Sequence, residues 1–108
     1  MKPDWVLVNA AGGIVQQSGG ISVTRFNFGV YFVNFPNSLV GRPLSATLQA
    51  KNDNDGSIVA APCGGGVGND NANACVSNNT NNSALVHTYG AGANNSIDRP
   101  FFLIAFKP

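Results

Sequence analysis

Leu44, Ala46, Leu48 and Ala50 alternate without a break with Ser45, Thr47, Gln49 and Lys51, and this period of two constrains the chain more than any other feature. Only an extended strand sends successive side chains to opposite faces, so the segment reads as a strand with one face on a core and the other in water. The same period recurs in short runs, and nowhere do apolar residues fall at helical spacing. Trp5-Val6-Leu7-Val8-Asn9 reads as a strand ended by Ala10-Ala11-Gly12-Gly13, and Ile14-Val15-Gln16-Gln17 as a short one ended by Ser18-Gly19-Gly20. Ile21-Ser22-Val23-Thr24-Arg25 and Val30-Tyr31-Phe32-Val33-Asn34-Phe35 form the clearest hairpin. Both are rich in β-branched and aromatic residues, with Phe26-Asn27-Phe28-Gly29 turning between them. Asp55-Gly56, a strand at 57–61, a long polar excursion and a strand at 84–89 follow. The last run, Phe101-Phe102-Leu103-Ile104-Ala105-Phe106, is apolar on both faces and needs cover from two sides. The expectation is an all-β chain: a single antiparallel β-sandwich, jelly-roll-like, of about seven or eight strands, over residues 1–108 as one domain.

Charge is scarce. Asp, Glu, Lys and Arg make up 10 % of the 108 residues, where soluble domains average roughly 25 %. Glutamate is absent and there is one histidine, His87. No carboxylates are grouped for general acid and base work, so an enzyme is not expected, nor is a cofactor. The six basic residues, Lys2, Arg25, Arg42, Lys51, Arg99 and Lys107, are scattered and leave a formal charge of +1. Nucleic acid is therefore not an expected partner, since no cluster neutralises a run of phosphates. Neither a leader's apolar run nor about 20 consecutive apolar residues occurs, so membrane insertion is not expected. The abrupt start, Met1-Lys2-Pro3-Asp4-Trp5, favours a domain excised from a longer protein over one exported inside a particle.

Cys63 and Cys75 bracket a loop dominated by Gly and Asn, with little intrinsic preference for a fixed shape. A disulfide between them is expected, and closing a loop of this size removes on the order of 3 kcal/mol of unfolded-state freedom. Two free thiols are the alternative; a metal site lacks its remaining ligands, because two thiols and one histidine do not complete a four-ligand set. A bridge implies an oxidising compartment.

Other residues invite a chemical reading and a plainer one. Asn52-Asp53-Asn54-Asp55-Gly56 has the alternating oxygens of a calcium loop, but Lys51 stands where the first acid belongs and no Glu closes the site, which favours a solvated turn. His87 with Asp98 and a serine would make a nucleophilic triad; its place between Val86 and Thr88 in a strand favours a surface or interface histidine. Asp98-Arg99-Pro100 reads as a corner launching the last strand, with Asp98 accepting from turn amides or an arginine. Gly64-Gly65-Gly66-Val67-Gly68 has the glycines of a phosphate loop without its Lys-Ser or Lys-Thr. Asn78-Asn79-Thr80, Asn81-Asn82-Ser83 and Asn94-Asn95-Ser96 fit the N-glycosylation pattern and mark surface loops. Trp5, Tyr31 and Tyr89 are the aromatics available to stack on a sugar, although each lies in an apolar strand where packing is favoured.

Three runs carry a resemblance: Trp5-Val6-Leu7-Val8-Asn9, Gly29-Val30-Tyr31-Phe32-Val33-Asn34-Phe35 and Asp98-Arg99-Pro100-Phe101-Phe102-Leu103. With Ala46-Thr47-Leu48 and Thr88-Tyr89, they make the chain resemble a small β-domain of predicted bacterial secreted, collagen-like or tail-fibre-like proteins, over nearly its whole length. That family often has a Cys before its Ala-Thr strand, where this chain has Pro43-Leu44-Ser45, so a disulfide position does not carry over. The resemblance implies a head or adhesion-type module at the cell surface, outside the cell or on a virion or tail particle. Taken with the two-sided final strand, it leads to the expectation of a homo-oligomer, a trimer in preference, that buries Phe102, Ile104 and Phe106 and caps a fibrous protein. The alternative is a monomeric carbohydrate-binding module for a cell-surface glycan, with the Asn-rich loops lining a shallow polar site.

Overall fold

The computed structural model describes residues 2–49, 56–63, 81–90 and 96–108. Among them are eight strands and no helix: β1 (Asp4–Val8), β2 (Ile14–Gln17), β3 (Ser22–Asn27), β4 (Val30–Asn34), β5 (Leu44–Leu48), β6 (Ser57–Pro62), β7 (Ser83–Tyr89) and β8 (Phe101–Ala105). They form two antiparallel four-stranded sheets, ordered β2-β1-β8-β5 and β3-β4-β7-β6. The fold is a β-sandwich.

The alternation read from the sequence decides which residues lie between the sheets. Val6 and Val8 of β1 and Phe101, Leu103 and Ala105 of β8 point inward from the first sheet, with Leu44 and Ala46 packed beside them. Tyr31 and Val33 of β4, Ala84 and Val86 of β7, and Val23, Ile58 and Ala60 face them from the second. Each residue gains burial on one side of its strand, and a slip of one position would expose the whole set. Tyr31 and Phe101 join the layers, their ring centroids 4.9 Å apart.

The β3–β4 hairpin turns as expected, at Phe28 and Gly29. Gly29 is required there: its φ is +69°, and a Cβ would lie 2.5 Å from the Thr88 carbonyl oxygen. That close approach lets the Thr88 amide donate to the Gly29 carbonyl oxygen at 2.8 Å, which joins the turn to β7.

The segment between β4 and β5 carries a feature that periodicity does not show. Leu39 is buried in the core, and Arg42 is only 5 % exposed. The Arg42 guanidinium donates to Asp4 at 3.0 Å and to the carbonyl oxygens of Ala105 and Phe106. One of the six basic residues is thus an internal tie between the starts of β1 and β5 and the end of β8, and adds nothing to the surface charge. Lys51 and the 52–55 stretch of the calcium-like loop, the 64–68 glycines, Cys75, the 78–80 triplet and positions 94 and 95 of the third triplet lie outside the described residues, whereas Asn81-Asn82-Ser83 lies within them. Cys63 itself is buried beside Phe32 and Leu85.

Candidate interaction surface

The outward face of the first sheet follows from its register. Trp5 stands opposite Ile104 and Leu7 opposite Phe102 on the two central strands. Ser45 and Thr47 of β5 flank Ile104 and Phe102, and Gln16 of β2 flanks Leu7. Four large apolar side chains therefore occupy the middle of the sheet, rimmed by uncharged polar ones, and no outward position there carries a charge. Trp5 and Phe102 pack ring against ring at 6.1 Å. All four are only partly covered, because the sandwich provides cover on the other side alone.

Phe102 and Ile104 thus lie together on the outward face. Phe106 keeps the same alternation but stands one residue past β8, where its amide donates to the Pro43 carbonyl oxygen, and it is 43 % exposed. Trp5 and Leu7 complete the face. The sequence favours core or interface packing for Trp5 and singles out no role for Leu7, although the period-two run of β1 already puts both on the side opposite Val6 and Val8.

The strap before β8 gathers the polar chemistry. Asp98 accepts from Arg25 Nε at 2.7 Å, from the Gly29 amide at 2.7 Å and from the Tyr31 hydroxyl at 3.4 Å. It is the corner residue the Asp-Arg-Pro run predicts, taking a turn amide and an arginine together. Arg25 also sits over the Phe28 ring, 4.9 Å from its centre. The Tyr31 hydroxyl donates to the Ala10 carbonyl oxygen at 2.7 Å. Burial pushes its acidity down, raising the pKa above the ordinary 10, and the Asp98 charge adds to the rise. Tyr31 is fully buried, so it has no face to offer a sugar.

His87 does meet a serine: its Nε2 lies 2.7 Å from Ser96 Oγ. Asp98 is turned away to Arg25, Gly29 and Tyr31, so the third member of a triad is not assembled. Instead, the imidazole stacks on Tyr89, with centroids 4.4 Å apart and planes at 19°. Both rings are outward on β7, away from Val86 and Thr88. Among the described residues no group of three histidine, cysteine or acidic side chains is placed to hold a metal, and no helix is long and apolar enough to cross a membrane.

No family model, curated protein or solved structure matches this chain.

Proposed function

We propose that this chain is a non-enzymatic structural module that self-associates into a closed trimer and serves as the head of a fibrous surface or tail-fibre protein outside the cell. The observation that carries the reading is the apolar centre of the first sheet's outward face: Trp5, Leu7, Phe102 and Ile104, adjacent by register and without a neighbouring charge. Aromatic and aliphatic residues in a contiguous exposed patch, rimmed by polar groups, mark the centre of a protein interface. Closed symmetry buries such a face in every copy and leaves none to recruit further chains. The number three rests on the resemblance to collagen-like proteins, since a collagen helix winds three chains together.

Two finer readings accompany it. The nested pairing of β1 with β8 and of β4 with β7 supports a jelly-roll topology. A bridge from Cys63, buried beside Phe32 and Leu85, to Cys75 belongs to the same reading and is tested by thiol alkylation of the denatured, unreduced chain: a bridged chain takes up no label.

Light scattering on a size-exclusion column tests the assembly. A mass three times the 11.2 kDa of one chain is expected, falling to one chain in Phe102→Glu. A monomer at micromolar concentration overturns the proposal.

A further inference from the structure

With the first sheet's outward face assigned to self-association, the second sheet's outward face is what an assembly presents to its surroundings. Its register sets Val30, His87 and Val59 side by side across β4, β7 and β6, with Tyr89 one step further along β7 opposite Ser57. Phe32, Asn34, Leu85 and Ala61 continue the face, so the outward positions of these three strands carry no aspartate, glutamate, lysine or arginine.

The His87–Tyr89 pair is built differently from a packing contact. The two rings, each half-buried, stack on one another, and Ser96 holds the imidazole through Nε2. Ser96 is itself fixed by its bridge to Tyr89. The other polar ends are free: among the described residues, neither the Tyr89 hydroxyl nor His87 Nδ1 has a hydrogen-bond partner. Beside them Val59 is 54 % exposed. Asp98, the nearest acid in sequence, is engaged with Arg25, Gly29 and Tyr31 instead.

We infer that the His87–Tyr89 stack, with Ser96 and Val59, is a binding site for a neutral saccharide. A sugar ring presents C–H groups on one face and hydroxyls around its rim. The apolar surface of fixed rings and Val59 takes the first, while the phenol, imidazole and serine groups exchange hydrogen bonds with the second. With no lysine or arginine at these outward positions, phosphorylated and sulfated sugars are not the favoured ligands, since no fixed cation compensates a desolvated anion. Rings already immobilised lose little side-chain freedom on binding. The site lies within one subunit and stands whatever the oligomeric state.

The test is a titration of the intact chain, followed by NMR of the His87 and Tyr89 ring protons, with glucose, galactose, mannose, N-acetylglucosamine and their common disaccharides. Saturable shifts at these rings with at least one sugar are expected. Tyr89→Ala should weaken binding roughly tenfold or more. Tyr89→Phe, which keeps the stack and loses the hydroxyl, should weaken it less, and Val15→Ala on β2 should leave it unchanged. Circular dichroism and solution mass on the same samples show that the variants are folded and assembled as the parent is. The inference is overturned if no sugar shifts either ring up to about 50 mM, a limit that excludes all but negligible affinity, or if the shifts persist in Tyr89→Ala. Neither result touches the self-association proposal, which the mass reports separately.

Discussion

Arg42 and Asp4 are 38 residues apart in sequence and meet at 3.0 Å, the arginine side chain wholly enclosed and the aspartate side chain 14 % exposed. Two further bonds from the guanidinium, to the Ala105 and Phe106 carbonyl oxygens, tie the end of β8 to the same point. A buried pair is a weak net stabiliser, but removing one partner leaves the other charge enclosed and alone. Arg42→Met is therefore expected to cost about 3 kcal/mol in urea unfolding at fixed protein concentration. Arg42→Met with Asp4→Leu should recover a large part of that loss. A double variant no more stable than the single one would show that the backbone bonds, and not the pair, carry the effect.

That pair also marks the limit of what the sequence discloses. Period-two alternation placed most strands to within a residue, because a half-buried strand writes its burial directly into alternate positions; it ended β3 two residues short of Asn27 and carried β5 past Leu48. It also predicted the outward placement of Phe102 and Ile104. The corner at Asp98 was legible because proline restricts the residue before it and a carboxylate suits a turn amide. Arg42 was not, since a buried and a solvated arginine look alike in a chain until the partner 38 residues away is placed beside it. The His87–Ser96 contact was not legible: the sequence favoured a surface or interface histidine over a triad with Asp98 and a serine, and which serine meets the imidazole depends on the path of the strap, which no local pattern encodes.

Gly29 and Gly41 have nearly the same positive φ, +69° and +73°, in different surroundings. A Cβ on Gly41 meets nothing within 4 Å, whereas one on Gly29 meets the Thr88 carbonyl oxygen at 2.5 Å and the Ile97 amide nitrogen at 2.9 Å. Gly41→Ala is thus expected to cost the left-handed penalty alone, about 1 kcal/mol. Gly29→Ala adds a backbone collision and should cost about 2 kcal/mol or more. Equal melting shifts for the two variants would refute the close approach of the β3–β4 turn to β7.

Tyr31 makes stability fall at alkaline pH. Its phenol is held protonated by burial and by Asp98, so its folded pKa lies above 10 while the unfolded chain titrates near the ordinary value. Below pH 10 both states keep the proton and the contribution is fully present. Above it the unfolded chain releases the proton first, so stability declines as pH rises through the folded pKa. Tyr31→Phe should flatten this decline. Near neutral pH it should cost about 1 kcal/mol, because the Ala10 carbonyl oxygen loses its donor. Unfolding curves from pH 8 upward for parent and variant check both statements.

Trp5 and Phe106 separate an interface defined by the sheet from one defined by the final apolar run. Trp5 lies opposite Ile104 in register and packs on Phe102 at 6.1 Å, at the centre of the outward face. Phe106 has left the sheet, and its backbone is held by Pro43 and Arg42 instead. Interface energy concentrates in central, fully desolvated aromatics, and rim residues contribute little. Trp5→Ser is therefore expected to raise the dissociation constant of the proposed trimer at least thirtyfold, about 2 kcal/mol, and Phe106→Ser to raise it severalfold at most. Dilution series read by light scattering measure both. The reverse order would move the contact surface off the centre of the first sheet to its end, where Arg42 closes the core.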